Sequence, residues 1–246
     1  MADPRLWPRH WPLALVRALL PCSCALCGAG CGAAVCAACH AQFIGPPRSR
    51  CRRCANPVAP ADAVFQCGAC LAQRPAFDAT LAAADYAAPV DQLVLQLKFG
   101  GKLALAPWFA HMLRDALCAR PDFALPNVLC PVPLGPQRLA ARGFNQALEI
   151  ARPLAGALGI ALRARLATRA LETPAQSGVE PGQRRANIRN AFVLAPDMLA
   201  MVRGQHIGIV DDVMTSGHTL NELAALFKRF GAARVSNLVF ARTPPR

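Results

Sequence analysis

The residues best suited to chemistry are Asp211 and Asp212, with Thr215, Ser216, Gly217, His218 and Thr219 just behind them. Two adjacent carboxylates repel a phosphate but accept hydrogen bonds from a vicinal diol. Hydroxyls and backbone N–H groups gathered at a helix N-terminus cradle a phosphate monoester. Gly217 lets the backbone come close to that phosphate. A ligand with a phosphate at one end and a cis-diol in the middle is a ribose 5-phosphate. Asp211 and Asp212 are therefore the candidate catalytic pair, and Val213 and Met214 with the hydroxyl loop complete the candidate binding segment.

The elements around this segment are of the kind that would hold it. Ile207-Gly208-Ile209-Val210 reads as a buried parallel strand ending in the two acids. A helix follows, with apolar residues at Leu220, Leu223, Phe227 and Phe230 and a stop at Gly231. Thr219 and Glu222 have capping-box spacing, which predicts a helix start near residue 219. In open α/β sheets, ligands sit outside the carboxyl ends of the strands. The plainer alternative is a buried strand ending in an Asp-rich turn, but strand, acid pair and hydroxyl loop seldom coincide by accident. Competing motifs fail on spacing: there is no G-x-x-x-x-G-K-[ST], and Gly28, Gly30 and Gly32 lie among cysteines rather than in a dinucleotide fingerprint.

Further upstream, residues 128–134 form a short strand running into a proline-fixed loop. Arg138, Arg142, Gly143, Phe144, Asn145 and Gln146 follow at the mouth of a helix reaching Leu158. An Arg-Gly pair beside a helix N-terminus is a reasonable pyrophosphate seat, against the alternative of an ordinary basic loop. Strand character at 80–86, 192–194 and 235–240, with helical spacing at 90–97 and 103–118, gives a β/α alternation. That alternation predicts a parallel sheet flanked by helices. Cys118 and Cys130 sit in apolar contexts and read as core. Residues 168–190 are polar and carry Thr173, Gln176, Arg184, Arg185 and Arg189. Such a segment is either disordered or a mobile lid that closes over a polyphosphate and excludes water.

Ten of the twelve cysteines lie between Cys22 and Cys70. Four C-x-x-C knuckles stand out: Cys24/Cys27, Cys36/Cys39, Cys51/Cys54 and Cys67/Cys70. Two such knuckles complete a tetrahedral four-thiolate site, so the segment predicts a zinc ribbon holding one or two structural ions. A disulfide framework would require a secreted chain, which nothing here supports. Sequential and crossed pairing of the knuckles are chemically equal, and Cys22 and Cys31 are surplus. The ribbon either binds nucleic acid or a partner, helped by Arg48, Arg50, Arg52 and Arg53, or serves as a structural clip. A net charge of +13 implies anionic partners, phosphorylated metabolites or nucleic acid. The apolar run at 11–20 contains Arg17 and is too short to span a bilayer, so residues 1–21 read as a leader segment and a cytoplasmic location is expected.

The stretch at 207–220 resembles the phosphoribosyl pyrophosphate (PRPP) signature of type I phosphoribosyltransferases, with His218 where that family usually has a small residue. The chain as a whole resembles the ComF (competence protein F) family, which includes GntX-like proteins. The likeness rests on the four knuckles, on residues 97–102 (LKFGGK), on 131–134 (PVPL) and on 142–146 (RGFNQ). It continues through 176–178 (QSG) and 184–192 (RRANIRNAF). The resemblance implies a double zinc ribbon at 22–75 joined to a phosphoribosyltransferase-like α/β domain at 76–246. It implies PRPP and Mg²⁺ as ligands, with Asp211 and Asp212 on the ribose hydroxyls and residues 215–219 around the 5-phosphate. Arg142 and Gly143 would lie near pyrophosphate, and 173–189 would form a flexible loop. It also implies a link to single-stranded DNA uptake and to DNA-uptake or recombination proteins. The acceptor is left unnamed, and a non-catalytic nucleic-acid-binding protein regulated by PRPP is the alternative.

Overall fold

A computed structural model describes residues 22–44, 48–59, 66–169 and 191–244. The leader at 1–21 and the polar segment at 170–190, with Thr173, Gln176, Arg184, Arg185 and Arg189, lie outside the described residues. The chain divides into a smaller unit, residues 1–45, and a larger one, residues 46–246. The division falls between the second and third knuckles.

In the smaller unit, strands β1 (Cys22–Ser23) and β2 (Gly30–Cys31) pair antiparallel, and the helix α1 (Ala37–Phe43) follows. The thiol of Cys36 caps α1 by accepting from the backbone N–H of Cys39.

The larger unit opens with α2 (Gly68–Ala72), then β3 (Ala79–Asp85), α3 (Val90–Lys98) and α4 (Leu105–Cys118). Next come β4 (Val128–Pro131), α5 (Pro136–Arg142), α6 (Gln146–Leu158) and β5 (Ala161–Leu162). A small hairpin pairs β6 (Ala167–Arg169) with β7 (Phe192–Leu194), and a 3₁₀ turn spans Pro196–Met201. The unit closes with β8 (His206–Met214), α7 (His218–Arg229) and β9 (Arg234–Arg242). Five strands form one sheet in the order β3-β9-β8-β4-β5, with every neighbouring pair parallel.

This is the expected α/β architecture, and its burial pattern explains it. From Ile207 to Val210 the strand β8 is wholly enclosed, as a parallel strand covered on both faces must be. Alternation sends Ile207 and Ile209 to one side, where Leu220, Leu223 and Phe227 of α7 join the same buried cluster. Helix α4 lies on β3 and β9, with the Phe109 ring stacked on Phe240 at a centroid distance of 3.6 Å. Among the described residues no helix is long and apolar enough to cross a membrane.

Gly208 interrupts the β-branched run for a steric reason. A Cβ there would lie 2.7 Å from Leu129 Cδ2, 2.7 Å from Pro126 Cγ and 3.0 Å from Leu238 Cδ1. The proline ring and the enclosed leucines have little room to yield. Gly208→Ala is therefore expected to cost about 1–3 kcal/mol by overpacking, read as a lower denaturant midpoint with an unchanged slope.

Three local expectations are corrected. Strand β8 continues through both acids to Met214, because its ladder with β9 persists to the Met214–Arg242 pair. Helix α7 starts at His218, and its N-cap is Gly217, at φ +80°, rather than a Thr219/Glu222 capping box; no side chain caps it. Cys130 is fully enclosed as expected, but Cys118, the last residue of α4, is exposed.

Candidate functional site

Asp211 and Asp212 stand at the carboxyl end of β8, flanked by β9 and β4. Each carboxylate first satisfies the strand's own backbone. Asp211 Oδ1 accepts from the N–H of Asp212 at 2.9 Å, and Asp212 Oδ1 accepts from that of Val213 at 3.0 Å. Asp212 is 2% exposed, and its Oδ2 lies 2.8 Å from Lys98 Nζ at the end of α3. That contact is ionic rather than a well-aligned hydrogen bond. Burial, reinforced by the Asp212 carboxylate, pushes Asp211 well above the usual carboxylate range against the pull of Lys98.

A second cation faces the pair. Arg142 ends α5 rather than lying in an open loop, and Gly143 closes that helix in the left-handed region at φ +80°. The Arg142 guanidinium sits over the Phe99 ring, 5.3 Å from its centroid, and donates to Gln146 Oε1. Burial lowers its pKa while the Asp212 and Asp211 charges raise it. Asn145 holds the neighbouring turn in place. Its Oδ1 accepts from the N–H groups of Ala147 and Leu148, and its Nδ2 donates to the carbonyl of Val132. Arg142 thus interacts electrostatically with both acids.

The hydroxyl loop runs from Thr215 into the first turn of α7. Gly217 needs its positive φ, and any Cβ there would run into Met214 Cε. Ser216 Oγ and His218 Nδ1 are 3.1 Å apart, so the histidine is tied to the loop it interrupts. The backbone of the loop is held by Arg242, a residue the sequence reading missed. Its Nη1 donates to the carbonyls of Met214, Thr215 and Thr243, and the residue is 6% exposed. Lys98 is likewise absent from the site that sequence reasoning assembles. The signal for both is a cation as the last residue of its element, Lys98 of α3 and Arg242 of β9.

The cysteines form two groups in sequential pairing, Cys24/Cys27 with Cys36/Cys39 and Cys51/Cys54 with Cys67/Cys70. In each group the four sulfurs lie within 4.8 Å of one another. Cys27 and Cys36 are 3.8 Å apart and Cys54 and Cys67 are 3.5 Å apart. Tetrahedral Zn–S bonds of about 2.3 Å put sulfurs about 3.8 Å apart, so both groups could hold a zinc ion. The thiol of Cys51 is drawn down to about 4, chiefly by its hydrogen bond with Cys54 and by nearby backbone N–H groups. Backbone N–H groups of Cys27, Cys36 and Leu26 outweigh burial and lower Cys24 to about 6. One thiolate in each group is thus favoured before any metal arrives.

The arginines beside the third knuckle are mostly committed inside the protein. Arg53 is 7% exposed and donates to the carbonyls of Phe77 and Pro75. Arg50 donates to Asp85 Oδ1 at 2.7 Å and to the carbonyl of Ala55. Only Arg48 and Arg52 keep exposed side chains, with surface partners Asp85 and Asp122. Arg50 and Arg53, expected on a nucleic-acid face, are thus corrected to interior roles. Arg53→Ala should instead cost about 1–3 kcal/mol by leaving buried carbonyls unpaired, measured by denaturant unfolding.

Residues 140–245 match the phosphoribosyl transferase domain. DNA utilization protein YhgH of Salmonella typhimurium is 36% identical over 212 residues, covering 85% of this chain and 90% of that protein. Competence protein F of Haemophilus influenzae is 32% identical over 180 residues, 72% of this chain and 78% of its own. The chain belongs to the ComF family. Among solved structures, the ComF-family chain matches glutamine phosphoribosylpyrophosphate amidotransferase of B. subtilis at a TM-score of 0.36. The two are 18% identical over 55% of this chain and 26% of that enzyme, so it spans about a quarter of that protein.

Proposed function

We propose that this ComF-family protein binds PRPP at the carboxyl end of β8 and transfers its phosphoribosyl group to an acceptor. The observation carrying this reading is the acid pair near the carboxyl end of β8, followed after a short hydroxyl loop by a left-handed glycine and a helix N-terminus, with Lys98 against Asp212 and Arg142 interacting with both acids. Asp211 and Asp212 accept from the ribose hydroxyls. The amides and hydroxyls of 215–219 take the 5-phosphate. Arg142, beside the positive-φ turn at Gly143, faces the pyrophosphate. In the reaction the acceptor's nucleophile forms the bond to ribose C1 as the C1–O bond to pyrophosphate breaks. The acids lie near the developing oxocarbenium charge and the cations near the leaving group, so catalysis is mainly electrostatic. The carboxylate oxygens are of the hard donor type that Mg²⁺ takes alongside substrate phosphates, and the ion would neutralise charge on the pyrophosphate. The test is calorimetric titration with PRPP and Mg²⁺, followed by pyrophosphate release over a panel of bases, amines and nucleic acids. Absence of PRPP binding overturns the reading. Binding without release for any acceptor favours a PRPP-regulated binding protein.

A role in handling single-stranded DNA is supported by the net charge of +13 and by relatives named for DNA utilization and competence. Arg48 and Arg52 are the knuckle arginines free to exchange weak surface pairs for phosphates. Replacing both by Ala should lower affinity for single strands. The slope of log affinity against log salt should fall by about 1.4, roughly 0.7 for each of two phosphates. An unchanged slope would make the ribbon a structural clip.

A further inference from the structure

The second cysteine group and the hydroxyl loop share the larger unit, and the same few residues touch both. A cavity of about 350 Å³ has Cys54, Cys70, Ser216, Gly217 and His218 in its walls. Apolar packing of Met214 and Leu220 in the buried cluster that also holds Cys54 and Cys70 joins the two regions, and two polar links fix the loop itself to the cysteine group. Arg242 supplies the first link. Its Nε donates to the carbonyl of Cys54 at 3.0 Å, while its Nη1 faces the carbonyls of Met214 and Thr215. The second link is the N–H of Ala76, just past the group, donating to Asn221 Oδ1 at 2.7 Å in the first turn of α7.

We infer that Arg242 is a positioning residue that fixes the 215–219 loop to the second cysteine group, making metal there a condition for ordered loop amides. The chemistry supports it. Four thiolates around one divalent ion leave net negative charge, and a buried guanidinium beside Cys54 compensates it. When the group is loaded, the Cys54 carbonyl is fixed and so is the guanidinium. The two loop carbonyls then have a stationary donor, and the N–H groups that follow them point in one direction. Unloaded, the knuckle loses its fixed turn, and Arg242 loses the Cys54 anchor while keeping only its Nη1 contacts to Met214, Thr215 and Thr243. This inference rests on the PRPP reading for its functional meaning but not for its mechanical content.

The experiment therefore reads both, on the full chain. Amide hydrogen exchange at 215–219 is compared in the parent, Arg242→Met, Arg242→Lys and Cys67→Ser, with zinc content measured in each and PRPP titrated into each. Arg242→Met and Cys67→Ser should speed exchange at 215–219 by about tenfold or more, beyond the smaller rise in β4 and β9 that follows any loss of stability of the larger unit. Arg242→Lys, which restores a single cationic donor, should lie between. PRPP affinity should weaken in the same order. Parental exchange at 215–219 in Cys67→Ser that has lost its zinc overturns the inference, as does exchange raised equally throughout. If Arg242→Met does not fold, Arg242→Lys and Cys67→Ser carry the decision. If the parent itself takes no PRPP, the ligand reading fails while the exchange data still decide the role of Arg242.

Discussion

Replacing Asp211 and Asp212 together by Asn is expected to remove most PRPP binding and leave the fold intact. Hydrogen bonds to a charged group contribute about 1.5–3 kcal/mol each, so losing two of them amounts to roughly 100-fold in affinity or more. Some of that loss is offset, because two carboxylates near a polyphosphate also repel it. The fold should survive for the reason that makes the pair costly. Asp211 is already held above its usual range by burial and by Asp212, so the amides relieve a strain rather than create one. The Lys98 ammonium left behind has a side chain 23% exposed and can turn to water. Calorimetric titration with PRPP and Mg²⁺, beside a thermal melt, measures both halves. An affinity equal to the parent's would sink the ribose assignment.

The metal prediction is as large. The protein should carry two zinc ions per chain, and Cys51→Ser should lose about one. Structural zinc in finger peptides contributes about 10–16 kcal/mol of apparent binding energy at neutral pH, all of it coupled to folding. From sequence, that loss would fall on residues 22–70 alone. The structure redirects it. Cys51, Cys54 and Cys70 are 1%, 6% and 5% exposed and belong to the buried cluster that includes Ile207, Leu220 and Phe227. Cys51→Ser should thus lower the melting temperature of the larger unit as well, seen by calorimetry and elemental analysis. Protein purified without chelator and found to hold no zinc would end the ribbon reading.

Where the signal was periodic or local, sequence reasoning reached the structure. The parallel strand at β8, the helices α3 and α4, and the four knuckles all followed from spacing and burial preference. Knuckle partners did not, because C-x-x-C spacing is indifferent to which pair shares an ion; only the folded turns bring Cys24/Cys27 to Cys36/Cys39. The Thr219/Glu222 box failed because Gly217 closes the loop in a left-handed turn and starts the helix one residue earlier. Arg50 and Arg53 read as surface charge because nothing local reveals that carbonyls at Ala55, Pro75 and Phe77 await donors. Lys98 and Arg242 were missed for the same cause: their partners are distant in sequence, at Asp212 and at Cys54.

The strand order has a consequence for biosynthesis. Strand β9 lies between β3 and β8, yet it is the last described strand to be made. Each cysteine group spans few residues and can close on metal soon after it leaves the ribosome, whereas β3 must wait for a partner beyond most of the chain. At about 5–20 residues per second, the 172 residues from Cys70 to Arg242 take roughly 10–30 s to translate. For most of that interval β3 presents an unpaired edge, and β8 joins it once made, the kind of surface on which nascent chains aggregate. The second cysteine group spends the whole interval without the guanidinium that later balances its charge. A ribosome stalled before β9 should therefore display a metal-loaded, chaperone-dependent intermediate whose sheet is split where the finished protein is most deeply buried.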